Sequence, residues 1–596
     1  MRVRQTASIA VLALLALAGT SCSLLLDFPF IDIKEMPRAL PPPPAEATLS
    51  DTQRAELALI LAPGSLPEAP PQRGPIFINF IDRAEDGLYV ADGPNTDLPV
   101  SLVLRIEVPG LKKPVEARAV YKVTDFYGRL VSRGLLGPTV LEPAEPADLT
   151  LHLPDVNTLG VYSVEVRVEA GAKKATAVHQ FGIIPAPAQT EAAESPFGVA
   201  GTINHAAQYA RLGAKHLLAY FADGRNVANF QKVGEEGWQP EYNWFVGVRR
   251  LETLGGTGLE LLPIIGFGPA ELKSEAARQA SQERFGNDNG VPYGPPADAA
   301  IFAQWAAGTV EYFADDIPRW QIWRDPAPGG WTWAAGHEEF RDLIAEVCRE
   351  LGERKIDVEM AFAATPEGLA DAVEAGWKPP TPLWCGLAMY QNSTDSSLAG
   401  GEFAVSLKEA VEAARRLKLN GVYISETGES PYHGTAQQRA WKLVIRHAEA
   451  LRCGVSRVYV QDNMGLRNPK TAAVAYAVLT HALAGKRFSR NASAASDETI
   501  NAPIFADKHG SVAIVWSYNE EGGLRALVID NAGGFKATDA AGSPVGIWDS
   551  RRLIVPVGEA PVYLVARGMS AGKIAESLKR AKTIGLEAKP EEKTQE

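Results

Sequence analysis

The sequence predicts three folded domains in series: an N-terminal immunoglobulin-like β-sandwich, a central (β/α)8 TIM barrel and a small C-terminal β-sandwich. Three observations carry this. From about Ile76 to Ile184 apolar residues alternate with period two, from Pro196 to about Phe488 eight short apolar runs are separated by helical patterns, and from Ala502 to about Ala566 short strands return. At 596 residues the chain exceeds what one hydrophobic core supports.

The elements follow in order. Residues 1–22 have the plan of a signal peptide: Arg2 and Arg4, an apolar stretch from Ile9 to Ala18, then Gly19, Thr20, Ser21 and Cys22. Cys22 is the candidate for lipidation, which would anchor the chain to the membrane of a bacterial cell envelope; cleavage near Ala18 is the rival and gives a periplasmic or extracellular protein. Residues 23–74 read as a Pro-rich tether, with Pro41 to Pro44 and Pro70-Pro71 barring a sheet or helix interior, and with a short helix near Asp51 to Leu61. Residues 75–186 form the sandwich, where Tyr162, Val164, Val166 and Val168 alternate with Ser163, Glu165 and Arg167.

Residues 194–490 hold the barrel, with strands expected from about Phe197, His216, Leu259, Arg319, Asp357, Leu383, Gly421 and Ser456. Glu338 to Leu351 and Ser406 to Leu417 carry apolar residues at helical spacing. A doubly wound open sheet is the alternative, but no G-x-G-x-x-G follows the first strand. Residues 500–567 make the C-terminal β domain, and residues 568–596 one helix with a charged tail.

A formal net charge of -12 argues against nucleic acid, which needs clustered Lys and Arg. Cys348, Cys385 and Cys453 lack metal-ligand spacing and read as buried free thiols. No metal site is expected: His337-Glu338-Glu339 has Arg341 where a zinc helix needs its second His. Gly568-Met-Ser-Ala-Gly572 matches a nucleophile elbow, but the last His of the chain is His509, before Ser570, so Ser570 reads as a helix cap.

Two segments carry the chemistry. Trp320-Gln-Ile-Trp-Arg-Asp-Pro326 and Tyr423-Ile-Ser-Glu-Thr-Gly428 each place a carboxylate just after an apolar run, where a barrel strand meets the active-site face. They are the fourth and seventh strands, so Asp325 and Glu426 share one face. Paired carboxylates cleave glycosidic bonds, at about 5 to 5.5 Å apart with retention and about 6.5 to 9.5 Å with inversion.

At these residues the chain resembles the clan A glycoside hydrolases, barrels whose fourth strand ends in W-x-W-N-E-P and whose seventh ends in the nucleophile Glu. Trp320, Trp323 and Pro326 keep the frame one residue wider, Arg324 and Asp325 stand where the family has Asn and Glu, and Glu426 falls on the nucleophile. Ser195 to Val199, Trp238 to Trp244, Trp331-Thr-Trp333, Ala473 to Gly485 and Pro561 to Leu564 are similar to further segments of that clan, over roughly residues 195 to 566. The resemblance implies retaining hydrolysis of a β-linked glycoside without a cofactor, with an oligo- or polysaccharide as partner, Glu426 as nucleophile and Asp325 as acid/base. Trp323, Arg324, Tyr390, Trp331, Trp333 and Glu429 are the candidate substrate contacts around this pair.

Departures from the pattern point to the alternative, a catalytically impaired homologue that binds carbohydrate or a partner at the cell surface. The clan's Arg at the end of the second strand, which orients the nucleophile, is replaced in Leu217-Leu-Ala-Tyr220, and Ala388 and Met389 precede the sixth-strand Tyr390. Asp in place of Glu withdraws the acid by about 1.5 Å, and a shift near 1 Å costs on the order of 100-fold. Arg324 is expected to favour the ionised form of its neighbour Asp325, or to pair with it in a loop salt bridge. Glu429 or Asp462 would be the substitute acids. The Trp residues read either as sugar platforms, Trp323 on the cleft floor and Trp331 and Trp333 at the rim, or as core; Tyr390 either orients Glu426 or packs the barrel end.

Overall fold

The computed structural model describes residues 49–586 except 62–75, 92–95, 224–227, 234–236, 243, 267–273, 286–293, 329–331, 381, 391–399, 429–433, 463–465, 467–469, 495–496 and 519–523. Eight parallel strands close into a barrel: Phe197–Ala200, His216–Asp223, Glu260–Gly266, Arg319–Ile322, Glu359–Ala364, Leu383–Tyr390, Gly421–Gly428 and Val458–Gln461, the last pairing with the first. All eight expected strands are present, because strands buried on both faces read as unbroken apolar runs. Leu218, Leu262, Ile264, Ala361, Tyr423 and Tyr459 fill the interior, so the barrel is a packed core.

The helices start where local chemistry dictates. Asp298 caps Ala299–Phe313 by accepting from the amides of Ala300 and Ile301. Thr365 caps Pro366–Glu374, whose first residue is the proline that fits a helix start. Thr435 and Gln438 form a reciprocal capping box on Ala436–Arg452. Helix His337–Glu353 buries Phe340, Leu343, Ile344, Val347 and Leu351, the predicted stripe.

Before the barrel, two sheets share one core. One has the order Phe77–Asp82, Val100–Glu107, Ala147–Leu153, and the other Leu88–Val90, Lys173–Ile184, Gly160–Ala170, Val115–Asp125, Leu130–Leu141. The expected alternation holds from Val164 to Val168, where Val164, Val166 and Val168 are buried while Glu165 and Arg167 face solvent, but Ser163, expected outward, is buried. This domain seats on helix Lys470–Ala482, which is buried on every side from Thr471 to Thr480. At Gly182 a β-carbon would lie 2.5 Å from Cγ2 of Val474, so the contact admits no side chain there. Burying Val474 at this seam stabilises it by about 1.5–3 kcal/mol.

After the barrel, two further sheets follow, of six and four strands. Arg487–Asn491, at the expected end of the barrel, pairs antiparallel with Pro503–Ala506 and so belongs to this region. The helix Ala571–Arg580 is present, and the Ser570 hydroxyl accepts from the Lys573 amide as its cap, as expected. The stretch beyond that helix is not all tail: Lys582–Gly585 joins the four-stranded sheet beside Arg525–Ile529. Nor is 23–74 wholly a tether, since helix Asp51–Leu61 packs Leu57, Ile60 and Leu61 inward against strand Arg552–Val557. Among the described residues no helix is long and apolar enough to cross a membrane.

Candidate active site

Strand four sets one side of the site. Trp320 points outward, and its indole nitrogen donates to the Ile317 carbonyl at 3.0 Å. Gln321 points into the barrel, where the Tyr423 hydroxyl donates to its Oε1 at 2.6 Å and its Nε2 donates to the Trp323 carbonyl at 2.8 Å. The first of these bonds joins strand four to strand seven across the core. Trp323 then adopts a left-handed backbone, φ 62°. A non-glycine residue there costs about 1–2 kcal/mol, offset by a backbone bond to the Ile265 carbonyl at 2.7 Å and an indole bond to the Thr332 carbonyl at 3.0 Å. The turn ends the strand and carries Arg324 to Glu426.

Strand seven supplies Glu426 through a bulge. Leu387 pairs with Ile424 but Ala388 pairs with Glu426, and on the other side Ile424 pairs with Val458 while Thr427 pairs with Val460. Ser425 is thus the extra residue. Tyr423 faces the barrel interior, and strict alternation would turn Glu426 outward; the inserted Ser425 changes that parity. Arg446, on the following helix, donates to the Gly428 carbonyl at 2.9 Å and fixes the strand's end.

The charged centre is an ion pair. Nε of Arg324 donates to Oε1 of Glu426, Nη1 lies 3.4 Å from the Tyr220 hydroxyl, and Cζ sits 5.4 Å from the Tyr220 ring centroid. Glu426 is 2% exposed. Burial pushes its carboxyl above the usual range and Asp325 adds to this, while the Arg324 guanidinium opposes it. Arg324, although burial works against its charge, is held above its ordinary value by Glu426 and Tyr220. Asp325 is half-buried; its Oδ1 accepts a 3.3 Å bond from the Ala327 amide, and its own carbonyl accepts from the Thr332 hydroxyl.

Three expectations need correction. Arg324 pairs with Glu426 across the barrel mouth, not with its neighbour Asp325. Asp325 is therefore shifted upward, because burial outweighs the Ala327 amide and the more distant guanidinium. Trp323 and Trp333 are neither floor nor rim platforms: they are 1% and 0% exposed, edge to face at 5.2 Å, and the Trp333 indole nitrogen donates to the Gly336 carbonyl at 3.0 Å. No face of either ring is open to a sugar, and the two form a small aromatic core with Phe302 and Phe340.

Tyr390 ends strand six opposite Gly428, but its side chain lies outside the described residues, as do Trp331, Glu429 and Cys22. Asp462 directly follows strand eight and is 3% exposed. Sequence reasoning missed two positioning groups, the Gln321–Tyr423 bond and Gly294. The β-carbon of any other residue at 294 would fall 2.4 Å from the Trp333 ring and 2.6 Å from Trp323. The strand parity of Gln321 and Tyr423 was the available signal for the first; the second had none. Among the described residues no cluster of three His, Cys, Asp or Glu gathers as metal ligands.

No protein-family profile matches the chain, and no curated protein does. Among solved structures, a glycoside hydrolase family 30 subfamily 8 xylanase from Clostridium acetobutylicum is similar at 12% identity, covering 64% of this chain and 98% of that one, with a TM-score of 0.42. A GH39 enzyme from Xanthomonas axonopodis pv. citri is similar at 13% identity over 65% and 96%, TM-score 0.42. A monomeric beta-xylosidase from Caulobacter crescentus CB15 is similar at 10% identity over 65% and 98%, TM-score 0.42. Likeness of this depth assigns no chemistry, and the barrel rests on its own strand pairing.

Proposed function

We propose that this chain is a glycoside hydrolase-like protein whose site works by retention, Glu426 attacking the anomeric carbon while Asp325 protonates the departing oxygen. One observation carries the reading: the two carboxyls sit in unlike environments. Glu426 has a guanidinium bonded to it, and among the described residues Asp325 has none. Environments that separate two titratable groups are how acid and base roles are divided. Burial raises both carboxyls, but at Glu426 a bonded guanidinium opposes the rise, so Glu426 is the better placed to ionise and attack and Asp325 the better placed to hold a proton. In the second half-reaction Asp325, now ionised, takes a proton from water as that water attacks the glycosyl ester on Glu426. On this reading Arg324 also does what the absent arginine of strand two would do, orienting the nucleophile from strand four.

A second reading, a binding protein without turnover, is favoured by a different observation. Glu426 is 2% exposed and Arg324 is bonded to one of its two carboxylate oxygens. Assays on aryl glycosides with activated leaving groups, which need no proton donor, separate the two. Turnover abolished by Glu426→Gln and raised on unactivated substrates by Asp325→Glu supports the hydrolase. No turnover of any glycoside, with no gain from Asp325→Glu, refutes it, and retained sugar binding then supports the second reading.

We also read the first domain as immunoglobulin-like, on its two-sheet order and the parallel pairing of Leu88–Val90 with Lys173–Ile184, and the last as a β-sandwich. Export and anchoring through Cys22 belong to the same proposal. Mass spectrometry of the membrane fraction tests them: a diacylglycerol-modified Cys22 supports anchoring, and an unmodified N-terminus near residue 19 refutes it.

A further inference from the structure

We propose that the barrel's floor, at the opposite end from Glu426, binds a small organic acid, a carboxylate on an apolar body, in a cavity shared with the C-terminal region. The inference stands apart from the carbohydrate reading above. The cavity holds about 480 Å³, and every residue lining it is described. Pro196, Arg319 and Arg457 stand at or just before the first residues of strands one, four and eight, which places the cavity at the barrel's N-terminal end. Arg487 and Phe488 reach it from the strand Arg487–Asn491, beyond the barrel. The volume is within the range of small-molecule sites, which favour domain junctions.

Its walls have spent their acceptors and kept donors. The Ser195 carbonyl accepts from Nε2 of His216 at 2.9 Å, and the Pro196 carbonyl accepts from the Val458 amide at 2.8 Å. At the end of helix Ala436–Arg452 the carbonyls of Glu449, Ala450 and Leu451 accept from the amides of Cys453, Val455 and Gly454. Two donors are left over. The indole nitrogen of Trp384 is buried with no acceptor among the described residues, and the buried Tyr459 hydroxyl, with Arg457 beside it, has none for its own proton. A buried donor without an acceptor costs stability unless a ligand supplies one. Trp384 is held in place: a β-carbon at Gly421 would lie 2.3 Å from its Cζ3, and the Arg319 guanidinium sits 5.0 Å from its ring centroid.

Charge points the same way. The lining carries Arg319, Arg457, Lys486 and Arg487 against one carboxylate, the exposed Glu194. Two of the four cations are committed: Lys486 donates to Asp507 at 2.8 Å, and Nε of Arg319 donates to Glu359 at 2.6 Å. Arg457 is not. Its counter-charge, Glu260, is 52% exposed and 3.6 Å away, beyond hydrogen-bond reach, and a pair of that kind is weak. Arg487 is exposed and has no ion pair among the described residues. The ligand that completes such a wall brings acceptors and negative charge and no donors, and a carboxylate meets a guanidinium through two parallel bonds. Leu262, Tyr423, Leu451, Val455 and Phe488 make up the apolar part of the lining and set the character of the ligand's body.

Calorimetry on the full chain tests this with benzoate and phenylacetate, their neutral amides benzamide and phenylacetamide, and inorganic phosphate, with melting temperature as the folding control. The acids should bind, and the amides, which keep the body and lose the charge, should bind at least about 10-fold more weakly. Arg457→Gln should weaken the acids by about 10-fold or more, and Trp384→Phe and Tyr459→Phe by about 3- to 10-fold each. If Arg457→Gln does not fold, the amides and Trp384→Phe decide. Neither acid bound, acid and amide bound alike, or binding indifferent to the variants overturns the site. Phosphate bound as tightly as benzoate overturns the apolar body. Loss of acid binding in Glu426→Gln would put the acid at the mouth and overturn the floor, whereas a failed glycoside assay leaves the result standing.

Discussion

Replacing Arg324 by Met removes the charge on Glu426 while keeping most of the stem's volume. Glu426 is 2% exposed, so its carboxylate has no water to turn to. Leaving one member of a buried ion pair uncompensated costs about 3–5 kcal/mol. The guanidinium is itself a quarter exposed, 25% of its side chain, which favours the lower end, about 3 kcal/mol at pH 7.5. Glu426 escapes part of that by taking a proton. Its folded carboxyl is already raised by burial, and loss of Arg324, the opposing influence, raises it further. A folded acid with a raised pKa binds more protons than its unfolded form, so its stabilising contribution is complete below the unfolded carboxyl's range and is lost as pH rises through the folded one. The penalty of Arg324→Met must therefore grow from pH 4.5 to pH 7.5. Tryptophan-fluorescence melts should show the variant within about 1 °C of wild type at pH 4.5 and about 3–5 °C below it at pH 7.5. Equal deficits at both pH values would refute the ion pair as the reason Glu426 tolerates burial.

Other consequences are simpler to read. Gly294→Ala forces a methyl into the Trp323 and Trp333 rings and should lower stability by about 1–3 kcal/mol with a shift in tryptophan emission; an unchanged melt would mean the aromatic core is looser than its contacts. Tyr423→Phe strips the bond to Gln321 inside the barrel and should cost about 1–3 kcal/mol in urea unfolding. Asp539, pushed up to about 6 by burial against the hydrogen bonds it accepts from Tyr127 and from the Ser543 and Ala541 amides, binds its proton more tightly folded than unfolded, so that contribution is lost as pH rises through about 6; Asp539→Asn should flatten the melting curve's pH dependence between about pH 4 and 7. Tyr220→Arg with Arg324→Asn should recover stability that Arg324→Asn alone loses, a non-additivity of at least about 1 kcal/mol; simple additivity would separate the two positions.

The barrel was legible because its strands lie between core and helices, so Val458-Tyr-Val460 or Leu383 to Tyr390 read as continuous apolar runs. The strand Lys582–Gly585 was not: four residues with Lys582 at their head carry no period, and only pairing with Arg525–Ile529 makes them a strand. Trp323 and Trp333 were legible as aromatic and near the site, but a Trp serves a core as well as a platform. What decided between them was packing against Gly294, which pattern alone does not reveal. The bulge at Ser425 has no composition signal, since serine is ordinary at a strand end. Yet that one inserted residue decides which way Glu426 faces.

The pairing of Arg324 with Glu426, 102 residues apart, was the hardest feature to read, and it changes the meaning of two departures at once. Set singly against the pattern the sequence resembles, Tyr220 on strand two stands in place of an arginine and Arg324 after strand four in place of an asparagine. Taken together, the guanidinium lies over the Tyr220 ring and bonds Glu426. On the proposed reading, positive charge beside Glu426 is then kept while its source moves from one strand to another. A buried carboxylate needs one cation, and the barrel mouth is indifferent to which strand delivers it, provided the turn at Trp323 can carry it there. Asp325 is the residue left to vary: the arginine beside it is committed elsewhere, so its proton is governed chiefly by burial and by how far its shorter side chain can reach.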